Sequence, residues 1–195
     1  MERLKQQWAF AAELEKLKAV HRTNRTLDNY RFENSAEHSF QGAILVPLLS
    51  EHLPFQVNLE KVMKLLLFHD LGEIYAGDTL VFDEIGKVDS YLREQDSLRR
   101  SLGLLPSDQE EEYLALWEEF EEGKTREAQY ARMIDALVPL INHLEVAKEG
   151  DNPYQLTKSQ VLAKKSFIKE LSPTLWNLVL EIIDKSVAKG LYMDQ

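Results

Sequence analysis

The chain has 195 residues, 44% hydrophobic and 29% charged, with 23 Lys plus Arg against 33 Asp plus Glu and a net charge of −10. That apolar share excludes a disordered chain, and the length favours one core-burying domain over residues 1–195. The acidic balance argues against a surface built to grip a nucleic acid polymer, and the absence of cysteine excludes disulfides, thiolate zinc sites, iron–sulfur clusters and cysteine nucleophiles.

The first apolar stripe, Phe10, Leu14 and Leu17, predicts an opening helix. MERLKQQWAF lacks the apolar core of a signal peptide, and no apolar run approaches a membrane span. The expectation is a soluble cytoplasmic protein with no membrane partner. Asn24 to Asn34, rich in Arg, Asn and Asp, reads as a loop, and Pro47 interrupts the helical stretch after it. Asn58 can cap a buried helix through Val62, Leu65 and Leu66 towards Asp70. Ala76 to Asp83 reads as a second loop, and Ile85, Val88, Leu92 and Leu102 predict a helix closed near Gly103. Ser107 with Glu110 resembles a capping box, with Gly123 as the matching stop. The Glu-dense run between them has apolar residues at helical spacing, so it reads as a solvated helix face. Thr125 starts a helix carrying Met133, Leu137, Leu140 and Leu144. Thr157 with Gln160 forms another capping box, and Ser172-Pro173 opens a last helix ending near Gly190. With no Asn-Gly or Asp-Gly hairpin and no sustained alternation, the predicted class is all-α.

Of five histidines, His21, His52 and His143 stand apart from other chemistry-bearing residues. His69 is followed directly by Asp70 on the apolar helix, an arrangement that is costly to bury unless a cation compensates it. The alternative is an Asp70 that caps a helix or pairs with an arginine. His38 opens another helix in ENSAEHSFQGA, and Asp135 sits among Ile134, Ala136 and Leu137 on a third. Two His and two Asp with water would suit one octahedral Mn, Co, Ni, Fe or Mg ion.

The ordered set His38…His69-Asp70…Asp135 resembles the H…HD…D signature of the HD-domain metal-dependent phosphohydrolases. ENSAEHS and HDLGEIYAGD are similar to the corresponding blocks of the bacterial 5′-deoxynucleotidase branch. The related blocks cover about residues 15–150, followed by C-terminal helices over 157–190. The resemblance implies a single HD-type helical domain in which His38, His69, Asp70 and Asp135 hold one divalent cation. It implies that Glu73 and Asp78 are acids outside the ligand set, acting on water or the leaving group; a surface ion pair and a turn residue are the alternatives. The Arg-Trp pair of better-known deoxynucleotidases is absent from HRTNRTLDNYR. Arg22 is the nearest counterpart and Arg25 the other candidate for gripping phosphate.

The implied activity is a 5′-nucleotidase acting on deoxynucleoside monophosphates, with a homodimer implied by the family. Competing readings are an HD-type phosphodiesterase, a dNTP triphosphohydrolase and a non-catalytic metal-stabilised helical dimer. A ferritin-like oxidase is excluded, because no histidine has Glu three residues before it.

Overall fold

The computed structural model describes residues 1–27, 31–83 and 85–195. Helix α1 (Glu2–Glu13) tightens into a 3-10 stretch, Leu14–Ala19. Phe10 and Leu17 are buried, but Leu14 is exposed, because the narrower turn moves it off the expected stripe. Strands β1 (His21–Arg25) and β2 (Phe32–Asn34) pair antiparallel, His21 opposite Asn34 and Arg25 opposite Phe32. The segment expected to be a loop is therefore a hairpin at both ends, and its residues 28–30 lie outside those described. Strands of five and three residues are too short to display a period, so the sequence hid them.

Asn34 then starts α2 (Ser35–Leu49) with a reciprocal capping box. Its side chain accepts from the Glu37 amide, and the Glu37 carboxylate accepts from the Asn34 amide. Pro47 lies within α2, which continues past it to Leu49. Helix α3 (Leu59–Phe68) is capped by Asn58 as expected, then passes into a 3-10 turn, His69–Gly72, and the short α4 (Glu73–Ala76). Helix α5 (Ser90–Leu102) begins later than expected. Ile85 and Val88 belong to the segment before it and are exposed. Helix α6 (Ser107–Glu122) follows Pro106, and Ser107 is its first residue and makes no capping bond, contrary to the expected box. Gly123, at φ 61°, does end it. Thr125, the Thr157–Gln160 box and Ser172-Pro173 open α7 (Arg126–Val146), α8 (Lys158–Lys165) and α10 (Pro173–Ala188) as the sequence predicts. The short α9 (Phe167–Leu171) links the last two. The all-α class holds, with one small two-stranded sheet.

Two apolar clusters organise the helices. The larger joins α2, α3, α7 and α10 through Val46, Leu65, Leu66, Ile134, Leu137 and Ile183. The smaller gathers Phe10, Leu17, Leu71, Leu98, Leu102 and Trp117. Leu66 belongs to the first and Leu71 to the second, so the His69–Gly72 turn carries the chain from one to the other. Among the described residues, no helix is long and apolar enough to cross a membrane.

Candidate metal centre

That turn places His69 and Asp70 in the seam, both buried. The Trp117 indole donates to the His69 carbonyl at 3.0 Å, satisfying a backbone acceptor freed where α3 tightens. His38 comes from the first turn of α2 and Asp135 from the middle of α7. The ligand atoms of His38, His69 and Asp135 all lie within 4.8 Å of one another. His38 Nε2 stands 2.8 Å from Asp135 Oδ1, and His69 Nε2 stands 2.9 Å from Asp70 Oδ1 and 3.5 Å from Asp135 Oδ1.

His69 supplies the test of whether these residues fit a cation. Its Nδ1 faces the Leu66 carbonyl at 2.7 Å, which assigns a proton to Nδ1 and turns Nε2 towards the carboxylates. That Nε2 is buried without a hydrogen-bond partner, with carboxylate oxygens facing it. Carboxylates facing this buried nitrogen call for positive charge between them, a proton on the metal-free imidazole or a cation bound through Nε2, so the set fits a divalent cation. Burial pushes the His69 imidazole down, but the Asp70 and Asp135 charges outweigh it and raise it well above its ordinary value. Burial pushes Asp135 up, and the facing His38 and His69 imidazoles reverse that, holding it well below the usual carboxylate range. Nitrogen and oxygen donors in this mixture suit a borderline or hard divalent ion.

The other expected site residues gather around the same point, along a cavity of about 1140 Å³. Glu73 is buried, and its Oε2 accepts from the Ser35 hydroxyl at 2.6 Å. Burial, then the Asp70 and Asp78 charges, raise Glu73 well above the carboxylate range. Asp78 hydrogen-bonds Glu73 and is itself raised, chiefly by burial. Gly77, at φ 78°, allows the turn that brings Asp78 back beside Glu73. Arg22 ion-pairs with Asp70 Oδ2 at 3.0 Å, whereas Arg25 lies over the Phe32 ring at 4.4 Å from its centre. Both line the cavity. His21 and His52 are exposed and outside the ligand group, and His143 lies on the cavity wall beside Tyr192.

The model of the HD domain family matches residues 14–176. The chain belongs to the HD domain family. A solved structure described as a predicted metal-dependent phosphohydrolase, from Magnetospirillum magnetotacticum, is 37% identical, covers 98% of this HD domain protein and 96% of its own chain, and superposes with a TM-score of 0.90. A 5′-deoxynucleotidase HDDC2 from Danio rerio is 30% identical over 77% of this chain and 74% of its own. The human protein of the same name is 30% identical over 61% of this chain, which spans 57% of the human length. A 5′-deoxynucleotidase yfbR from Photorhabdus temperata is 25% identical, covering 78% and 80%. The expected class, an HD-type metal-dependent phosphohydrolase, is borne out.

Sequence reasoning passed over one residue of this HD domain centre. Glu33, buried, accepts from Asn142 through Oε1 at 3.0 Å, and its Oε2 lies 4.0 Å from His38 Nδ1. Among the described residues, both facing atoms lack hydrogen-bond partners. A carboxylate behind the far nitrogen of a metal-binding histidine fixes its tautomer and strengthens it as a ligand. The signal was present in ENSAEHS, five residues before His38, but only the hairpin and α7 bring it into position.

Proposed function

We propose that this HD domain protein releases inorganic phosphate from 2′-deoxynucleoside 5′-monophosphates, with one Mn, Co, Ni, Fe or Mg ion held by His38, His69, Asp70 and Asp135. The observation that carries the reading is the buried Glu73–Asp78 pair placed beside a single ligand set. When bound, a divalent cation supplies an acidified water and neutralises charge developing on phosphoryl oxygen. Glu73 keeps its proton where an ordinary carboxyl has lost it and is the group that can protonate a departing 5′-oxygen. Asp78, its hydrogen-bonded neighbour, orients that proton and accepts one in return. Arg22, fixed by Asp70, presents a permanently positive guanidinium to the phosphate. Arg25 takes the outer position over Phe32. The cavity has room for a nucleoside beyond the phosphate.

Among the described residues there is one ligand group, with the three remaining histidines outside it, which favours the monoesterase over a two-metal diesterase. The names of the HDDC2 and yfbR relatives favour the deoxynucleoside monophosphate. A cytoplasmic homodimer belongs to the same reading. An exposed apolar stripe on α2, Phe40, Ile44 and Leu48 at four-residue spacing, supports self-association.

The test is a phosphatase screen of metal-stripped protein resupplied with each ion and offered ribo- and deoxynucleoside mono-, di- and triphosphates. Phosphate release from 5′-monophosphates, faster for the deoxy series, is expected. Tripolyphosphate from triphosphates, or turnover of cyclic diesters alone, would overturn the reading. Metal-dependent stability without turnover would identify the protein as a scaffold.

A further inference from the structure

Lys165, the last residue of α8, lines the same cavity and is only 8% exposed. Among the described residues, its ammonium makes no hydrogen bond and no ion pair within 4.0 Å. Its electrostatic neighbours are Asp135, which favours its charge, and Arg22 and Lys87, which oppose it. All three also line the cavity. Burying an unpartnered ammonium is costly. A lysine serving only the C-terminal dipole of α8 could do so from solvent, with its stem laid along the surface. The largely buried side chain, opening on the cavity, therefore suits an anionic partner that arrives from it.

We propose that Lys165 is a phosphate-binding residue, its ammonium donating to a non-bridging oxygen of the substrate while Arg22 engages the phosphate from the β1 side. The proposal rests on the phosphomonoesterase reading for the identity of the anion. Charge balance supports it. A divalent cation is neutralised by Asp70 and Asp135, and Arg22 with Lys165 then matches the two negative charges of a phosphate monoester. Burial lowers the free ammonium to about 8, with Asp135 opposing, and an arriving dianion would restore its full charge. The clamp would also join distant parts of the chain, β1 and α8, across one ligand.

The test uses the metal-loaded protein and its Lys165→Met and Lys165→Arg variants. The measurements are the Kd of inorganic phosphate by calorimetry, KM and kcat for a 2′-deoxynucleoside 5′-monophosphate, bound metal and Tm. Lys165→Met should weaken phosphate binding and raise KM by roughly tenfold or more, the scale of a lost charge-assisted hydrogen bond. Bound metal should be unchanged and Tm equal or higher, since a buried ammonium has been removed. Lys165→Arg should recover part of the phosphate affinity. A phosphate Kd within twofold of wild type in the folded Met variant would overturn the proposal. So would a variant that loses metal and melts early, because Lys165 would then be structural. If wild type turned over no nucleotide yet lost phosphate affinity on Lys165→Met, the anion site would stand and the nucleotidase reading would fall.

Discussion

At the scale of single residues, the proposed division is between groups that would hold a cation and groups that would handle protons. Glu73 and Asp78 lie beside the ligand set without completing it, and burial raises both. Glu73→Gln and Asp78→Asn should therefore keep the metal while lowering kcat by about 10²–10⁴-fold, the usual contribution of a general acid or base. Elemental analysis beside kcat decides: metal lost in either variant makes that residue a ligand, and full activity in both makes them bystanders. Glu33 is expected to act in the opposite way. It does not line the cavity itself but stands behind His38, so Glu33→Gln should weaken metal binding by about 10–100-fold. At saturating metal, kcat should return to within a few-fold of wild type. Competition with a chelator measures the first effect, and unchanged metal affinity would remove Glu33 from the site.

Among the elements, the decisive one is the 3-10 turn between α3 and α4. It turns His69 and Asp70 into the seam and leaves α5 in close contact with Gly72. A Cβ at Gly72 would meet the Glu94 carbonyl oxygen at 2.9 Å and Glu94 Cβ at 3.0 Å. The first obstacle is backbone, so Gly72→Ala must displace α5 or the turn. Overpacking of this kind costs about 1–3 kcal/mol, several degrees of Tm for a chain this long. Thermal unfolding of the variant checks it, and an unchanged Tm would show that α5 yields freely. This turn also marks where sequence reading stops. The caps at Asn58, Thr157 and Ser172 were legible because a side chain and an amide three residues on settle them locally. Ser107 has the same chemistry but comes one residue too late, inside the helix, which composition alone does not distinguish. His38, His69, Asp70 and Asp135 were legible as an ordered pattern, and the structure brings them together. Glu33 and Lys165 were not, since each is brought into position by residues more than a hundred positions away, Asn142 in one case and Arg22 in the other.

For the whole molecule, part of the acidic excess lies buried where it destabilises the metal-free fold. Glu94 and Glu121 line the same cavity as Asp70, Glu73, Asp78 and Asp135. Burial, then the charges of Glu121 and Asp70, raise Glu94 from 4.5 to about 7. In the unfolded chain Glu94 releases its proton near 4.5, whereas the native protein keeps it to about 7. Between those values the folded state binds more protons, so stability falls as pH rises, and the full penalty is present above about 7. Glu33, Glu73, Asp78 and Glu121 are raised as well and act with the same sign. The raised His69 acts likewise, its stabilisation being lost as pH climbs through its folded value. Asp70 and Asp135 are held low, so their contribution is lost only on the acid side, below the ordinary carboxylate range. The metal-free protein should accordingly melt at a higher temperature at pH 5 than at pH 8. Glu94→Gln should raise Tm by a few degrees at pH 8 and leave it nearly unchanged at pH 4.5, where the wild-type side chain is already protonated in the native state. Saturating metal should raise Tm at pH 8, because it binds only the folded set. Scanning calorimetry of both proteins at the two pH values, with and without metal, tests the whole scheme. A metal-free wild type more stable at pH 8 than at pH 5 would mean that the cavity acids are not under mutual strain, and the case for a cation that relieves them would lose its electrostatic basis.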